Sequence, residues 1–232
     1  MPANVRDRDA ITVFTLKPSS TDPTVPRMAR KGKSVTVAGF SPPPKAPQKG
    51  NTKTLDTLDG RLTHAISAVD PTINKLVVWT SHTVAGGAGS ELRWYELVPG
   101  TTVSVHQSGS VTDASLFVYN GGVSPDRTCD GTQCAHGDSI VIGVTTSSST
   151  ALTTVQMVSK IGAGAQSALV SVKAATVAEN DFSCAPTCRW GDYSGATPDP
   201  AASISGAHGE VWLTNEFAGG SKINTWNWEA LP

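Results

Sequence analysis

The chain has 232 residues and a formal net charge of −1, with 16% charged and 38% hydrophobic residues. No apolar run approaches the roughly 20 residues of a membrane-spanning helix, and no long stretch carries the apolar spacing of an amphipathic helix; both argue against a helical bundle or a helical membrane protein. Abundant Gly, Ser, Thr, Val and Pro suit short strands joined by turns. The near-neutral total hides an asymmetry: residues 1–53 hold ten Lys/Arg against three acids, a local charge of +7. No aromatic residues are interleaved with these charges as a nucleic-acid stacking platform needs. The basic stretch therefore reads as solvated loop charge around a Pro-rich connection, and no nucleic-acid partner is expected.

In chain order, residues 11–16 (Ile-Thr-Val-Phe-Thr-Leu) alternate well enough for one strand. A long irregular passage follows through Pro18, Pro23 and Pro26 to Pro42-Pro43-Pro44, with one short strand candidate at 34–37. The proline run reads as a stiff connector in preference to a ligand for a partner domain. From Thr54 the chain is orderly. Strands are expected at 61–69, 75–84, 91–98 and 102–107, then at 116–123, 139–145, 153–160 and 168–174, then at 190–197, 210–217 and 224–229. The first strand of each group is rich in small residues and ends in an Asp/Pro turn: Asp70-Pro71, Pro125-Asp126 and Asp199-Pro200.

This is a degenerate repeat of four short antiparallel strands. It predicts an all-β chain of β-propeller type, with about three blades forming a partial ring. In a propeller the innermost strands converge, so small side chains belong there. A β-sandwich is the alternative, and the recurring turns favour the propeller. The expected divisions are 1–53 (the outer strand of a preceding blade plus a connector), 54–110 and 111–178 (one blade each), and 179–232 (a last, incomplete blade).

Three stretches carry a resemblance. They are Cys-Arg-Trp-Gly-Asp-Tyr-Ser-Gly-Ala-Thr-Pro-Asp-Pro followed by Gly-Glu-Val-Trp-Leu-Thr-Asn-Glu-Phe and Thr-Trp-Asn-Trp, the strand Arg93-Trp94-Tyr95-Glu96, and the region of Phe40-Ser-Pro-Pro-Pro-Lys-Ala-Pro-Gln with Leu55-Asp-Thr-Leu-Asp-Gly-Arg-Leu62. Together they resemble the C-terminal half of a family of large secreted bacterial β-propeller proteins, often loosely labelled sialidase-like or exoproteins. The resemblance implies further blades upstream, or a second copy, to complete the ring. It implies a secreted or cell-surface location and says little about function.

The four cysteines form two close pairs in turn-like segments, Cys129 with Cys134 and Cys184 with Cys188. Local disulfides are expected in both, each closing a small surface loop. Zinc is the rival, but neither pair has Cys-x-x-Cys spacing and the nearest imidazole is His136. Disulfides imply an oxidising compartment. The N-terminus has no apolar core of a signal peptide, so the natural start is expected to have been removed or to lie upstream.

Candidate ligand contacts are Asp192, Tyr193 and Trp190 at the head of the last unit, His64 and His82 in or beside inner strands, and Asn215 and Glu216. Asp192 is either a carboxylate tying down backbone N–H groups at a blade corner or a ligand or cation contact at the channel mouth. Trp190 and Trp212 are expected to pack between blades. The Asp126–Asp130–Asp138 loop offers acids without the alternation of a calcium loop, so no cofactor is expected beyond that faint calcium signal. Nothing in the sequence places Arg61, Arg93, Arg127 and Arg189 together as a sialidase requires, and the repeated Asp-box of such propellers is missing. The reading is a non-catalytic extracytoplasmic module recognising glycan or protein. The alternatives are a sialidase-like hydrolase fragment and a structural subunit of a surface assembly.

Overall fold

The computed structural model describes residues 8–28, 32–126, 137–192, 194–200, 209–219 and 222–230. The described residues are all-β, and among them no sheet closes on itself. Among the described residues no helix is long and apolar enough to cross a membrane.

Three sheets form the body. Sheet I is a meander of β7 (His64–Asp70), β8 (Lys75–Gly86), β9 (Gly89–Val98) and β10 (Ser104–Val111). Sheet II repeats it with β11 (Phe117–Pro125), β12 (Ile140–Ser148), β13 (Ala151–Lys160) and β14 (Val170–Ala174). Sheet III holds β16 (Gly195–Pro198), β17 (Val211–Gly219) and β18 (Lys222–Ala230). The strands of all three are hydrogen-bonded antiparallel and follow chain order. The expected strands coincide with these within a few residues, except at the start of the third group. Gly191 has φ +91° and interrupts the chain there, so β16 begins only at Gly195. The Asp of each turn closes the first ladder. Asp70 pairs with Lys75, Asp126 N–H donates to Ser139 O at 2.8 Å, and Asp199 N–H donates to Glu210 O at 2.8 Å.

Sheet II is the middle layer. β12 (Ile-Val-Ile-Gly-Val-Thr-Thr-Ser-Ser) is buried along its whole length, as a strand covered on both faces must be. Ile140, Ile142 and Val144 pack with Trp79, Leu92 and Trp94 of sheet I. Val141, between them and pointing the other way, packs with Ala196, Val211 and Leu213 of sheet III. The first strands β7, β11 and β16 adjoin one another. Their approach depends on small residues: a Cβ on Gly122 would sit 3.1 Å from the Gly195 carbonyl carbon.

The described residues before 53 depart in part from expectation. The strand expected at 34–37 is β4 (Lys33–Phe40); in place of the irregular passage around it the chain forms β1 (Arg8–Val13), β2 (Leu16–Pro18), β3 (Pro26–Met28) and β5 (Ala46–Gln48), and β6 (Asn51–Leu55) straddles the expected boundary at 53. The single strand expected at 11–16 is divided between β1 and β2. β1 and β4 form a two-stranded ribbon whose Ile11, Val13, Val35 and Val37 cover Tyr95 and Leu97, on the face of sheet I away from sheet II. The β5–β6 hairpin lies against sheet II at the β12–β13 turn, where Lys49 N–H donates to Ala151 O at 3.1 Å and Ala46 and Leu55 pack with Tyr119. The proline run bridges the two positions as a stiff strap: Pro43 is buried, and Pro44 O accepts the Thr57 hydroxyl at 3.0 Å. β6 then pairs in parallel with β15 (Thr187–Cys188), a non-local contact without a local signature.

Candidate functional site

The segment between β14 and β16 has little regular structure, yet it is held at many points. Gln48 clamps it from both sides: its Oε1 accepts Glu179 N–H at 2.7 Å and its Nε2 donates to Glu179 O at 3.0 Å. Asn51 Nδ2 donates to the same carbonyl at 2.7 Å. Cys184 and Cys188 form the expected disulfide. It is not a surface clip, however. The two residues are 3% and 0% exposed and pack with Trp190, Tyr119 and Leu55. The disulfide expected between Cys129 and Cys134 falls outside the described residues, both Cys129 and Cys134 included. The disulfide among the described residues is therefore that of Cys184 and Cys188. Asp181 Oδ1 accepts the N–H and hydroxyl of Ser183, and Ser183 Oγ in turn accepts Arg189 N–H at 3.0 Å.

This scaffold shapes a cleft of about 230 Å³ lined by Asp181, Phe182, Arg189, Trp190, Asp192 and Glu216. Three of the sequence-derived candidates, Trp190, Asp192 and Glu216, therefore meet. Trp190 is 2% exposed and forms the floor, so it is packed as expected and offers no platform to a ligand. Asp192 does not tie down a strand corner. Its side chain is exposed and ion-paired with Arg189 Nη2 at 2.5 Å, an arrangement that adds at most about 1 kcal/mol at a surface. The carboxylate holding the backbone there is Glu216, which is 3% exposed and accepts Gly191 N–H at 3.0 Å through Oε2. Phe182 stands on the lip with 97% of its surface bare. Trp212, expected to be packed, is 42% exposed on sheet III, its indole N–H donating to Asp199 Oδ2 at 2.6 Å.

The remaining candidates do not join the cleft. Tyr193 lies outside the described residues. Asn215 is buried and its Nδ2 donates to Asn120 O at 3.2 Å. His82 is buried between sheet I and the segment before it. The Gly60 carbonyl, 2.9 Å from Nδ1, can only accept, so Nδ1 carries the proton and the Nε2 lone pair takes the Tyr95 hydroxyl at 3.2 Å. Burial lowers the His82 pKa, the Gly60 bond pulls it back, and the charges of Arg93 and Arg8 lower it further. His64 is also shifted down, first by burial, against a hydrogen bond to the Ala196 backbone. Neither imidazole lines the cleft. The faint calcium loop includes Asp130, which lies outside the described residues.

Two features escaped the sequence reading. Asn120 sits at a register shift in β11 with φ +49°. Its amide donates to Asp56 O (2.9 Å) and Trp190 O (3.2 Å), and its backbone N–H donates to Thr83 Oγ1 (2.9 Å). It thereby joins sheets I and II, the segment after β6 and the cleft floor. The Asn-Gly-Gly inside an apolar strand was the available signal for such a bulge. The second feature is a polar cluster at the opposite end of the seam between sheets I and II, formed by Asp70, Glu96 and His106. Burial pushes the Glu96 carboxyl up to about 8; the Gln107 hydrogen bond opposes this, and the neighbouring Asp70 adds to it.

Comparison of the chain with protein-family models, with curated proteins and with solved structures found no match.

Proposed function

We propose that this chain is a wedge of β-propeller blades from an extracytoplasmic recognition module, akin to the secreted bacterial propellers whose last-blade motif it resembles, and that the cleft beside Cys184–Cys188 takes a glycan or protein ligand. The observation that carries the reading is the bare Phe182 ring beside the exposed Arg189–Asp192 pair, on a loop fixed by a buried disulfide and by the Gln48 clamp. An aromatic face next to paired charges is the chemistry that grips hydroxyl-rich or mixed polar surfaces, and a braced loop loses little entropy on binding. The disulfide supports an oxidising compartment. The sialidase-like alternative is less well supported: among the described residues Arg61 is engaged with Asp59, Arg93 with Glu91 and Arg189 with Asp192, and Arg127 lies outside them. A structural subunit of a surface assembly remains the third reading, separated by whether the purified chain polymerises.

The test is binding to an array of sialylated, acidic and neutral oligosaccharides. Phe182→Ala and Arg189→Ala are expected to weaken any captured sugar about tenfold, while Asp192→Asn leaves the melting temperature within about 2 °C, since it removes only a surface pair. Unchanged capture by both cleft variants would sink the assignment of this surface.

The propeller reading rests on three successive meanders stacked in chain order, with their first strands adjoining. About four to eight blades close a ring, so further blades or a second copy are expected against the outer layers. Trp212 lies exposed on one side, and on the other a groove of about 480 Å³ runs between β4 and the β9–β10 face. Light scattering on the 24.1 kDa chain is expected to show association. A monodisperse, cooperatively melting monomer would require a different architecture, with the β-sandwich next in line.

A further inference from the structure

We propose that Asp70, Glu96 and His106 form a binding site for a divalent transition metal ion of the zinc kind, set into the end of the seam between sheets I and II. One donor atom from each residue lies within 4.8 Å of the other two, so side-chain adjustments of about an ångström bring all three to one ion with bonds of about 2.0–2.2 Å. The three come from different strands. Asp70 ends β7, Glu96 lies in β9, and His106 sits in β10 where the register shifts between Val105 and Gln107. Bulges of this kind re-aim a side chain.

The two carboxylates are fully buried, and each is half satisfied. Thr72 holds Asp70 Oδ1 through its N–H (2.7 Å) and hydroxyl (2.6 Å), and Gln107 Nε2 holds Glu96 Oε2 at 2.7 Å. Asp70 Oδ2 and Glu96 Oε1 are out of reach of solvent and meet no donor group; the group that Glu96 faces there is the other acid, Asp70. His106 Nε2 is 3.8 Å from that Asp70 Oδ2. Such unpartnered acceptors are costly unless something positive stands between them. The nearest cation on sheet II, Lys160, does not reach them: its ammonium donates to Gln107 Oε1 at 2.9 Å and to Gly162 O. Gln107 is thereby locked, and it orients Glu96 as an outer partner orients a metal ligand.

A proton shared by the two acids would satisfy the oxygens but give His106 no part. A dication uses all three groups, and two carboxylates with a neutral imidazole balance its charge. A nitrogen donor with only two carboxylates selects zinc-like ions over calcium or magnesium, which favour more numerous oxygen ligands. His106 has 36% of its side chain exposed, which gives an ion an entry path.

The experiment is a zinc chloride titration of the full chain after chelator treatment, followed by calorimetry and by melting temperature. One zinc per chain and a raised melting temperature are expected. His106→Ala, at a partly exposed position that does not threaten folding, should weaken binding about tenfold or more, as should the near-isosteric Glu96→Gln. Calcium should not compete. A double variant carrying Cys129→Ser and Cys134→Ser should bind zinc like the unaltered chain. Absence of bound zinc, binding indifferent to His106→Ala and Glu96→Gln, displacement by calcium, or loss of binding in the cysteine variant would each overturn the site.

Discussion

Gly191→Ala is expected to cost about 3–5 kcal/mol. Two independent penalties meet there. At φ +91° an L side chain is strained, at roughly 1–3 kcal/mol. The new Cβ would also lie 2.1 Å from Asn120 Nδ2 and 2.3 Å from its Cγ. Asn120 cannot yield without breaking its bonds to Asp56 O and Trp190 O, and stranding buried polar groups adds about 1–3 kcal/mol. Asn120→Ala should show the second penalty from the other side, together with the loss of a residue suited to φ +49°, for about 2–4 kcal/mol. Asn120→Gly should recover only the backbone part. At about 2–4 °C per kcal/mol for a chain of this size, Gly191→Ala should melt roughly 10 °C lower. A variant melting within about 2 °C of the unaltered chain would show that the Asn120–Gly191 contact does not join the sheets.

These residues also show where the sequence was readable. The strands of sheets I and II announce themselves through β-branched runs bounded by Gly and Asp/Pro turns, so their boundaries could be placed from local pattern alone. Before residue 60 the candidates at 11–16 and 34–37 foreshadow only part of what forms, β1 with β2 and β4, and the remaining strands carry no such pattern. Ala46-Pro47-Gln48 carries a proline, which argues locally against a strand, yet as β5 it lies at the edge of its sheet, where a proline is tolerated. Asn51–Leu55 is polar, and its outer partner is Thr187–Cys188, far along the chain. Of the cleft, Trp190, Asp192 and Glu216 were legible as a cluster of unusual residue types. Phe182 was not, because exposure is a property of the fold and a lone Phe in a loop signals nothing. The Asp70–Glu96–His106 cluster was hidden more deeply. Its members are distant in sequence, and their meeting depends on strand order and on the bulge at His106. Asp70 was read only as a turn former, a role it also fills by accepting from Thr72.

Mild acid should weaken the fold through His82, and the effect can be isolated. The folded state keeps this imidazole neutral: Nδ1–H donates to Gly60 O, Nε2 accepts from Tyr95, and the Phe40 ring stands edge-on at 4.5 Å. A second ring proton would face the Tyr95 hydroxyl, which would then have to reverse, in a site where burial and the nearby arginines already oppose positive charge. The folded pKa is thus depressed below the ordinary value of 6.5. Above 6.5 both states are neutral and the contribution to stability is complete. Below it the unfolded chain takes up a proton that the folded chain refuses, and about 1.4 kcal/mol is lost per pH unit until the folded value is reached. His64 acts in the same direction. Glu96 and Glu179, both shifted upward, act in the opposite one, because the folded state holds their protons more tightly than the unfolded chain does. The total slope therefore mixes signs, and the informative quantity is the difference between the unaltered chain and His82→Gln. Gln loses packing against Phe40 but cannot take up the proton, so the variant should be less stable near neutral pH. Its deficit should shrink as the pH falls below 6.5, by at most about 1.4 kcal/mol per unit and only until the folded value is reached. Urea unfolding at about pH 7.5, 6 and 5 measures that deficit directly; a gap that stays constant across the series would mean that His82 takes up its proton as readily folded as unfolded, contrary to the buried, neutral geometry described above.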